Sequence, residues 1–181
     1  MDNGASSYRR YLDGDEAAFE QIVKDYFDPL TGFIDSYVHD MAASEDIAID
    51  TFSDLIVHKH RYNFHVSLKT YLFMIGRSRA LNYIKRRGRF QIVELTSAEK
   101  ELPEASSPEA QVNDAARRQA VRSAVRQLGS EMQEAVCLVY FEDMNCAEAA
   151  KVMRKTVKQV YNLLYRAKGL LRTILAEEIE L

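Results

Sequence analysis

Tryptophan is missing from this chain of 181 residues, and cysteine, proline and glycine number only two, three and seven. Two cysteines cannot staple a small secreted scaffold, so a reducing compartment and a cytoplasmic location are expected. Seven glycines and three prolines are too few for a β-sandwich or barrel, which needs a turn about every ten residues. No apolar run approaches the roughly 18 residues of a membrane span, so no membrane insertion is expected. The opening stretch, MDNGASSYRRYLDGDE, has no apolar core of the kind a signal peptide carries. Motifs of catalysis are also missing. There is no glycine-rich phosphate loop, nucleophile motif or closely spaced carboxylate pair, so no catalytic residue is expected. His58, His60 and His65 are too poorly spaced to share a helix face and lack partners at i,i+4, so no metal site and no cofactor is expected. Cys137 and Cys146 stand in no ligand motif and are read as small buried residues.

What is present is a 47% hydrophobic complement, enough for a core, and a segregated charge. The net charge of −3 hides this segregation. Residues 1–54 hold 13 acids and three bases, Arg9, Arg10 and Lys24. Residues 55–93 hold nine bases and no acid, 94–114 hold six acids and one base, and 149–176 hold seven bases and no acid. A solvated helix face usually mixes signs, because opposite charges at i,i+4 stabilise it. Two acid-free basic blocks around an acidic stretch point to a polyanion held at two places.

Apolar residues recur at helical spacing almost throughout, which predicts an all-α fold. A helix is expected from about Asp15 to Tyr26, capped from the Asp13–Glu16 segment, with Phe19, Ile22, Val23 and Tyr26 in one stripe. Pro29 is placed in the first turn of a second helix bearing Leu30, Phe33, Ile34, Tyr37 and Val38. Ser44 is expected to cap a third, with Ile47, Phe52, Leu55 and Ile56 inward. A fourth opens at Ser67, carries Leu68, Tyr71, Leu72, Ile75, Leu81 and Ile84, and stops at Gly88. The stretch ELTSAEKELPEASSP (94–108) holds two of the three prolines and reads as an acidic flexible linker. Four more helices should follow, at about 109–128, 130–141, 146–153 and 157–178. The expected organisation is therefore two small helical domains, 1–92 and 109–181, joined by a linker at 93–108.

Within the second domain, residues 145–168 read NCAEAAKVMRKTVKQVYNLLYRAK. Asn145-x-x-Glu148 and Thr156-x-x-Gln159 are two capping-box patterns eleven residues apart. They predict a two-turn helix, a short turn and a new helix, with Ala149, Ala150, Val152 and Met153 packed on Val157, Val160 and Leu164. That is a helix-turn-helix. Lys158, Tyr161 and Asn162 should face outward, with Gln159 beside them. Asn and Gln suit adenine edges, Lys suits guanine or phosphate, and Arg166 and Lys168 further along suit phosphates.

Upstream, residues 58–90 interleave Tyr62, Phe64, Tyr71, Phe73 and Tyr83 with bases. Rings for stacking and cations for phosphates suit single-stranded nucleic acid, at about 1–3 kcal/mol per stacked base. The Tyr62–Ser67 loop could form a pocket for one flipped base.

These segments, in this order, resemble an extracytoplasmic-function (ECF) type bacterial sigma factor. SEDIAIDTFSDLIVHKHRY (44–62) is similar to the family's polymerase-binding helix, SLKTYLFMIGRSRALNYIKRRGR (67–89) to its promoter-melting helix, and FEDMNCAEAAKVMRKTVKQVYNLLYRAK (141–168) to its promoter-reading helix-turn-helix. The resemblance implies that Asp46, Ile49, Asp50 and Asp54 dock core RNA polymerase. It implies that Tyr62, Asn63, Phe64, His65, Tyr71, Arg77, Arg79, Asn82, Lys85, Arg86 and Arg87 meet the minus-ten promoter strand. It implies that Thr156, Lys158, Gln159, Asn162, Arg166 and Lys168 meet the minus-thirty-five duplex, and that an anti-sigma factor is a further partner. The chain departs from the family where Ile49 replaces a usual Gln, Tyr71 a usual Trp, Ser78 a usual Asn, Arg154 a common Gly and Leu163 a common base. The function implied is direction of bacterial RNA polymerase to promoters and help in opening the DNA. The alternatives are a stand-alone helix-turn-helix regulator and, from another class, a helical metal-dependent hydrolase.

Overall fold

A computed structural model describes residues 4–94, 121 and 123–179, and every regular element in them is helical. The first four helices are α1 (Ala5–Leu12), α2 (Glu16–Val38), α3 (Met41–Val57) and α4 (Leu68–Glu94). A helix described at 121 and 123–126 (α5) leads into α6 (Ser130–Val136), a π-helical turn (Cys137–Phe141), α7 (Cys146–Met153) and α8 (Val157–Ile179). The first two residues of the expected linker, 93 and 94, are still helical at the end of α4, and the rest of it, with most of the expected helix at 109–128, lies outside the described residues.

Side-chain caps set most of the starts. The Asp15 carboxylate accepts from the Ala18 amide at the head of α2, and Asp40 accepts from Ala43 at the head of α3. Ser67 accepts from Thr70 at the head of α4. Each satisfies an amide that the helix itself leaves unpaired. Asp40, not Ser44, therefore caps α3. Ser44 is buried one turn inside and bonds back to the Asp40 carbonyl at 2.8 Å.

Three further features differ from the sequence expectation. Short, polar α1 was not foreseen. Pro29 does not start a helix but lies inside α2, although proline removes a helical N–H and crowds the preceding turn. Ile22 on one side and Leu30, Phe33 and Ile34 on the other are fully buried, and each such side chain contributes about 1.5–3 kcal/mol. That anchoring outweighs one lost hydrogen bond. Gly88 likewise does not end α4, which continues to Glu94.

The first core joins those α2 residues to Phe52 and Leu55 of α3 and Leu68, Leu72 and Phe73 of α4. Gly76 lies where α4 crosses α2, and a Cβ there would come within 2.8 Å of Leu30 Cδ1. Ile56 of the expected inward stripe is 46% exposed, and Leu81 and Ile84 are each 38% exposed. In the second half, Ala135, Leu138, Ala149, Val152, Val160 and Ala167 form the buried seam of α6, the π turn, α7 and α8. The two halves meet, because α7 packs directly on α4.

Candidate nucleic-acid interface

The helix-turn-helix is built from its two caps. Asn145 accepts from the Ala147 and Glu148 amides, and Glu148 accepts in return from the Asn145 amide at 3.1 Å. At α8 the Gln159 side chain accepts from the Thr156 amide at 2.8 Å, and Thr156 accepts from the Gln159 amide at 3.2 Å. Both boxes thus form as the spacing predicted. Gln159 and Thr156 are held on the cap, which limits how far either side chain reaches a base. Between the helices, Arg154 takes a left-handed φ of 54°. This explains why glycine suits the position, since a side chain there is strained.

Ala149, Ala150, Val152 and Met153 are buried against Val160 and Leu164, as expected. Val157 is not, being 40% exposed at the first turn. With Val160, Leu164 and Ala167 facing in, α8 turns Lys158, Asn162 and Arg166 outward, and all three are exposed together with Tyr161, Tyr165 and Lys168. Lys158 and Asn162 sit in the opening turns, where a recognition helix meets base edges, and Arg166 is one turn further. The neighbouring Tyr165, 82% exposed, was not singled out from sequence. An aromatic at the fourth position after Tyr161 on a face with no apolar partner was the available signal.

In the first half the expected strand-binding residues divide into two groups. Asn63, His65, Asn82, Lys85 and Arg86 are exposed. Asn82, Lys85 and Arg86 share one face of α4, and no described carboxylate pairs with either of the two bases. The others are engaged within the protein. Tyr62, expected as a stacking surface, is only 3% exposed. Its hydroxyl donates to the Val66 carbonyl at 2.7 Å, and its ring meets Tyr8, Phe64 and Tyr71 at 5.5, 4.6 and 5.0 Å. Tyr62 is thus a floor of the loop and not an open platform. Phe64 and Tyr71 are half-buried. Phe64 holds a left-handed φ of 62°.

Arg77 forms a fork with Glu134 of α6, Nε to Oε1 at 2.6 Å and Nη2 to Oε2 at 3.3 Å. Burial opposes the Arg77 charge most strongly, but the hydrogen bonds and the charge of Glu134, with Tyr37 beside them, together outweigh it and hold the guanidinium charged. The buried Tyr37 hydroxyl beside this pair is pushed well up, first by burial and then by the Glu134 charge. Lys69 reaches the Glu142 carboxylate at 2.9 Å and its carbonyl at 2.6 Å. The acid-free block is therefore neutralised in part from elsewhere in the chain, and Arg77 is not presented to a strand in this structure. Arg87 lies 3.6 Å from Asp40.

The expected polymerase-binding residues lie along α3. Asp46, Ile49 and Asp50 are exposed, and Asp54 is half-buried. Arg79 of the expected strand-binding set bridges Asp50 and Asp54. Met41, Ile49 and Val57 are exposed apolar residues on this helix at 55%, 53% and 71%. Sequence reasoning missed the α1 residues altogether. The Tyr8 hydroxyl lies within reach of the Leu55 and Lys59 carbonyls at 3.1 and 3.0 Å and so ties α1 to the start of the loop. Burial, then Tyr11, Tyr71 and Tyr62, raise it to about 12. The run SYRRYL, with rings and bases interleaved, was the signal that could have drawn attention to it.

Among the described residues no group of three His, Cys, Asp or Glu side chains could hold a metal ion, and no helix is long and apolar enough to cross a membrane.

Comparison with known proteins gives consistent matches. Residues 22–90 match the family model of sigma-70 region 2, and residues 118–171 that of sigma-70 region 4. The RNA polymerase sigma factor YlaC of Bacillus subtilis is 21% identical over 153 residues, covering 83% of this chain and 88% of its own length. The ECF RNA polymerase sigma factor SigM of Bacillus subtilis is 23% identical over 160 residues, covering 86% of this chain and 93% of its own. Among solved structures, the sigma factor RpoE in complex with the anti-sigma factor NepR from Bartonella quintana shares the fold. Its TM-score is 0.68 at 21% identity, over 87% of this chain and 96% of that one.

Proposed function

The chain belongs to the ECF type of sigma factor, which directs RNA polymerase to promoters and is not an enzyme, and from that premise we propose how its residues divide the work. Residues 1–92, with the last two residues of α4, form the domain that binds core polymerase and the minus-ten strand, the stretch from there to 108 the linker, and 109–181 the domain that reads the minus-thirty-five duplex. Asp46, Ile49, Asp50 and Asp54 on α3 dock the polymerase. The exposed Asn63, His65, Asn82, Lys85 and Arg86 meet the opened strand, with Phe64 and Tyr71 as stacking rings. Arg77, Arg79 and Arg87 join them when their carboxylate partners let go. Lys158 and Asn162 read base edges, Arg166 and Lys168 meet phosphates, and Thr156 and Gln159 hold the head of the helix. RpoE binds an anti-sigma factor, and an inhibitor of that kind fits the exposed apolar and basic faces here. The working place of such a subunit is the cytoplasm, beside the polymerase. A stand-alone regulator is not favoured, because two distinct sigma regions match in their usual order.

The observation that carries the reading is the outward face of α8: Lys158, Asn162 and Arg166 exposed on a doubly capped helix-turn-helix. Asn162→Ala should cost about 1–3 kcal/mol at the preferred minus-thirty-five sequence and relax the preference at one base pair. Arg166→Ala should weaken all sequences alike and lower the salt slope by about one. Titration of holoenzyme against single-base promoter variants at two salt concentrations measures both. A uniform loss from Asn162→Ala with a base-specific loss from Arg166→Ala would reverse the assignment.

A further inference from the structure

The 58–67 loop is walled on one side by α1. Tyr8 is fully buried, and its hydroxyl shares its one proton between the Leu55 and Lys59 carbonyls, so α1 is tied to the loop. The next residue, Arg9, is exposed, and its guanidinium lies over the Phe64 ring at 4.8 Å from the centroid. Phe64 is the strained member of the loop. A bulky aromatic at a φ of 62° is a genuine outlier, and such strain persists where the surroundings hold it for a purpose. This ring packs at a tilt into the cluster with Tyr62 and Tyr8, at 4.6 and 6.2 Å. Its other neighbour is a cation that no described carboxylate claims. Arg10, the adjacent base, is by contrast paired with Asp15. On the same rim Lys59 lies over the Tyr11 ring at 4.7 Å.

We propose that α1 belongs to the single-strand binding site: one unstacked base enters between the Phe64 ring and the Arg9 guanidinium, with Arg9 as its second wall. This rests on the assignment of the loop to the minus-ten strand. The chemistry favours it over a purely structural contact. A planar guanidinium stacks on a base as readily as on a ring, and its charge offsets the adjoining phosphate. An exposed arginine side chain changes rotamer within nanoseconds and can make room. Only a base outside the duplex stack offers both faces, so the slot selects opened DNA over paired DNA. The block from 55 to 93 contains no acid to repel the strand.

The test uses the full chain assembled with core polymerase. Binding is measured to a labelled duplex carrying a mismatched bubble and to the same duplex fully paired. Arg9→Ala should weaken bubble binding about fivefold or more, leave paired binding and the melting temperature unchanged, and add nothing to Phe64→Leu in the double variant. Arg9→Lys keeps the charge without the plane and should recover only part of the loss. Wild-type bubble affinity in Arg9→Ala, with a loss in Phe64→Leu, would mean that the loop takes the base without α1. Equal losses on both probes, fully restored by Arg9→Lys, would reduce Arg9 to diffuse charge and overturn the proposal. If Phe64→Leu also binds the bubble normally, the assignment of the loop itself falls.

Discussion

Replacing Glu134 with methionine leaves the Arg77 guanidinium, 17% exposed, facing a site from which its carboxylate has gone. Breaking such a buried pair from one side costs about 3–5 kcal/mol, because the remaining charge has lost both its partner and its water. The residual exposure of Arg77 puts the figure near the lower end. About 3 kcal/mol is more than a hundredfold in an equilibrium. The other polar links between α4 and the second half are weaker. Lys69–Glu142 is 25% and 11% exposed, and Thr70–Glu148 is a long contact at 3.5 Å. The cheapest relief is for α4 to part from α6 and α7, so that Arg77 regains water. Glu134→Met should therefore be less stable in urea and show a larger radius of gyration by small-angle scattering. The freed Arg77 should also raise the affinity of the free chain for promoter DNA. The double variant Arg77→Met with Glu134→Met removes both charges at similar volume and should return close to wild-type stability and compactness. If Glu134→Met remains as stable and compact as wild type, the fork does not hold the halves together. If the double variant loses as much as the two single variants combined, the loss was packing and not an uncompensated charge.

Other consequences follow from single positions. Arg154→Gly relieves a left-handed residue at the end of α7 and should stabilise the second half by about 1 kcal/mol in thermal unfolding, since the strain it removes is about 1–2 kcal/mol. Gly76→Ala forces a Cβ to within 2.8 Å of Leu30 Cδ1 and should cost about 1–3 kcal/mol by the same measurement. Burial, then Glu142 and Glu134, raise the Cys137 thiol from 9.0 to about 12. Between those values the unfolded chain loses this proton and the folded chain keeps it, so stability falls as pH rises. Cys137→Ala should fall less steeply over the same range. Reversing the exposed Asp46 and Asp50 to lysine should abolish co-elution with core polymerase while shifting stability by less than about 1 kcal/mol.

The features legible in the sequence were those written locally. The two capping boxes at Asn145 and Thr156 need only residues three apart, and both form. The apolar period gave α2, α3, α4 and α8 their inward faces. Expectation failed where distant residues decide. Proline and glycine rules placed breaks at Pro29 and Gly88 that the packed helices override. Ile56, Leu81 and Ile84 satisfy the helical period yet lie at the edge of the stripe, where a small rotation exposes them. The site was readable as residue types and not as their state. The partner of Arg77 is 57 positions away and those of Arg79 are 25 and 29 away, distances over which charge patterning carries no pairing information. Tyr62 was chosen as a ring among bases, but its burial depends on Tyr8, from a short helix of low overall hydrophobicity that sequence reasoning passed over.

Run-off transcription puts the central claim to the test most directly. Core RNA polymerase is supplied with a pool of upstream fragments from the genome that encodes the chain, with and without the protein. Discrete transcripts should arise only when the chain is present. They should vanish with the Asp46→Lys, Asp50→Lys variant and shift in template preference with Asn162→Ala. The same transcript pattern with and without the chain, together with tight binding of the free chain to a palindrome as a symmetric dimer, would contradict the account.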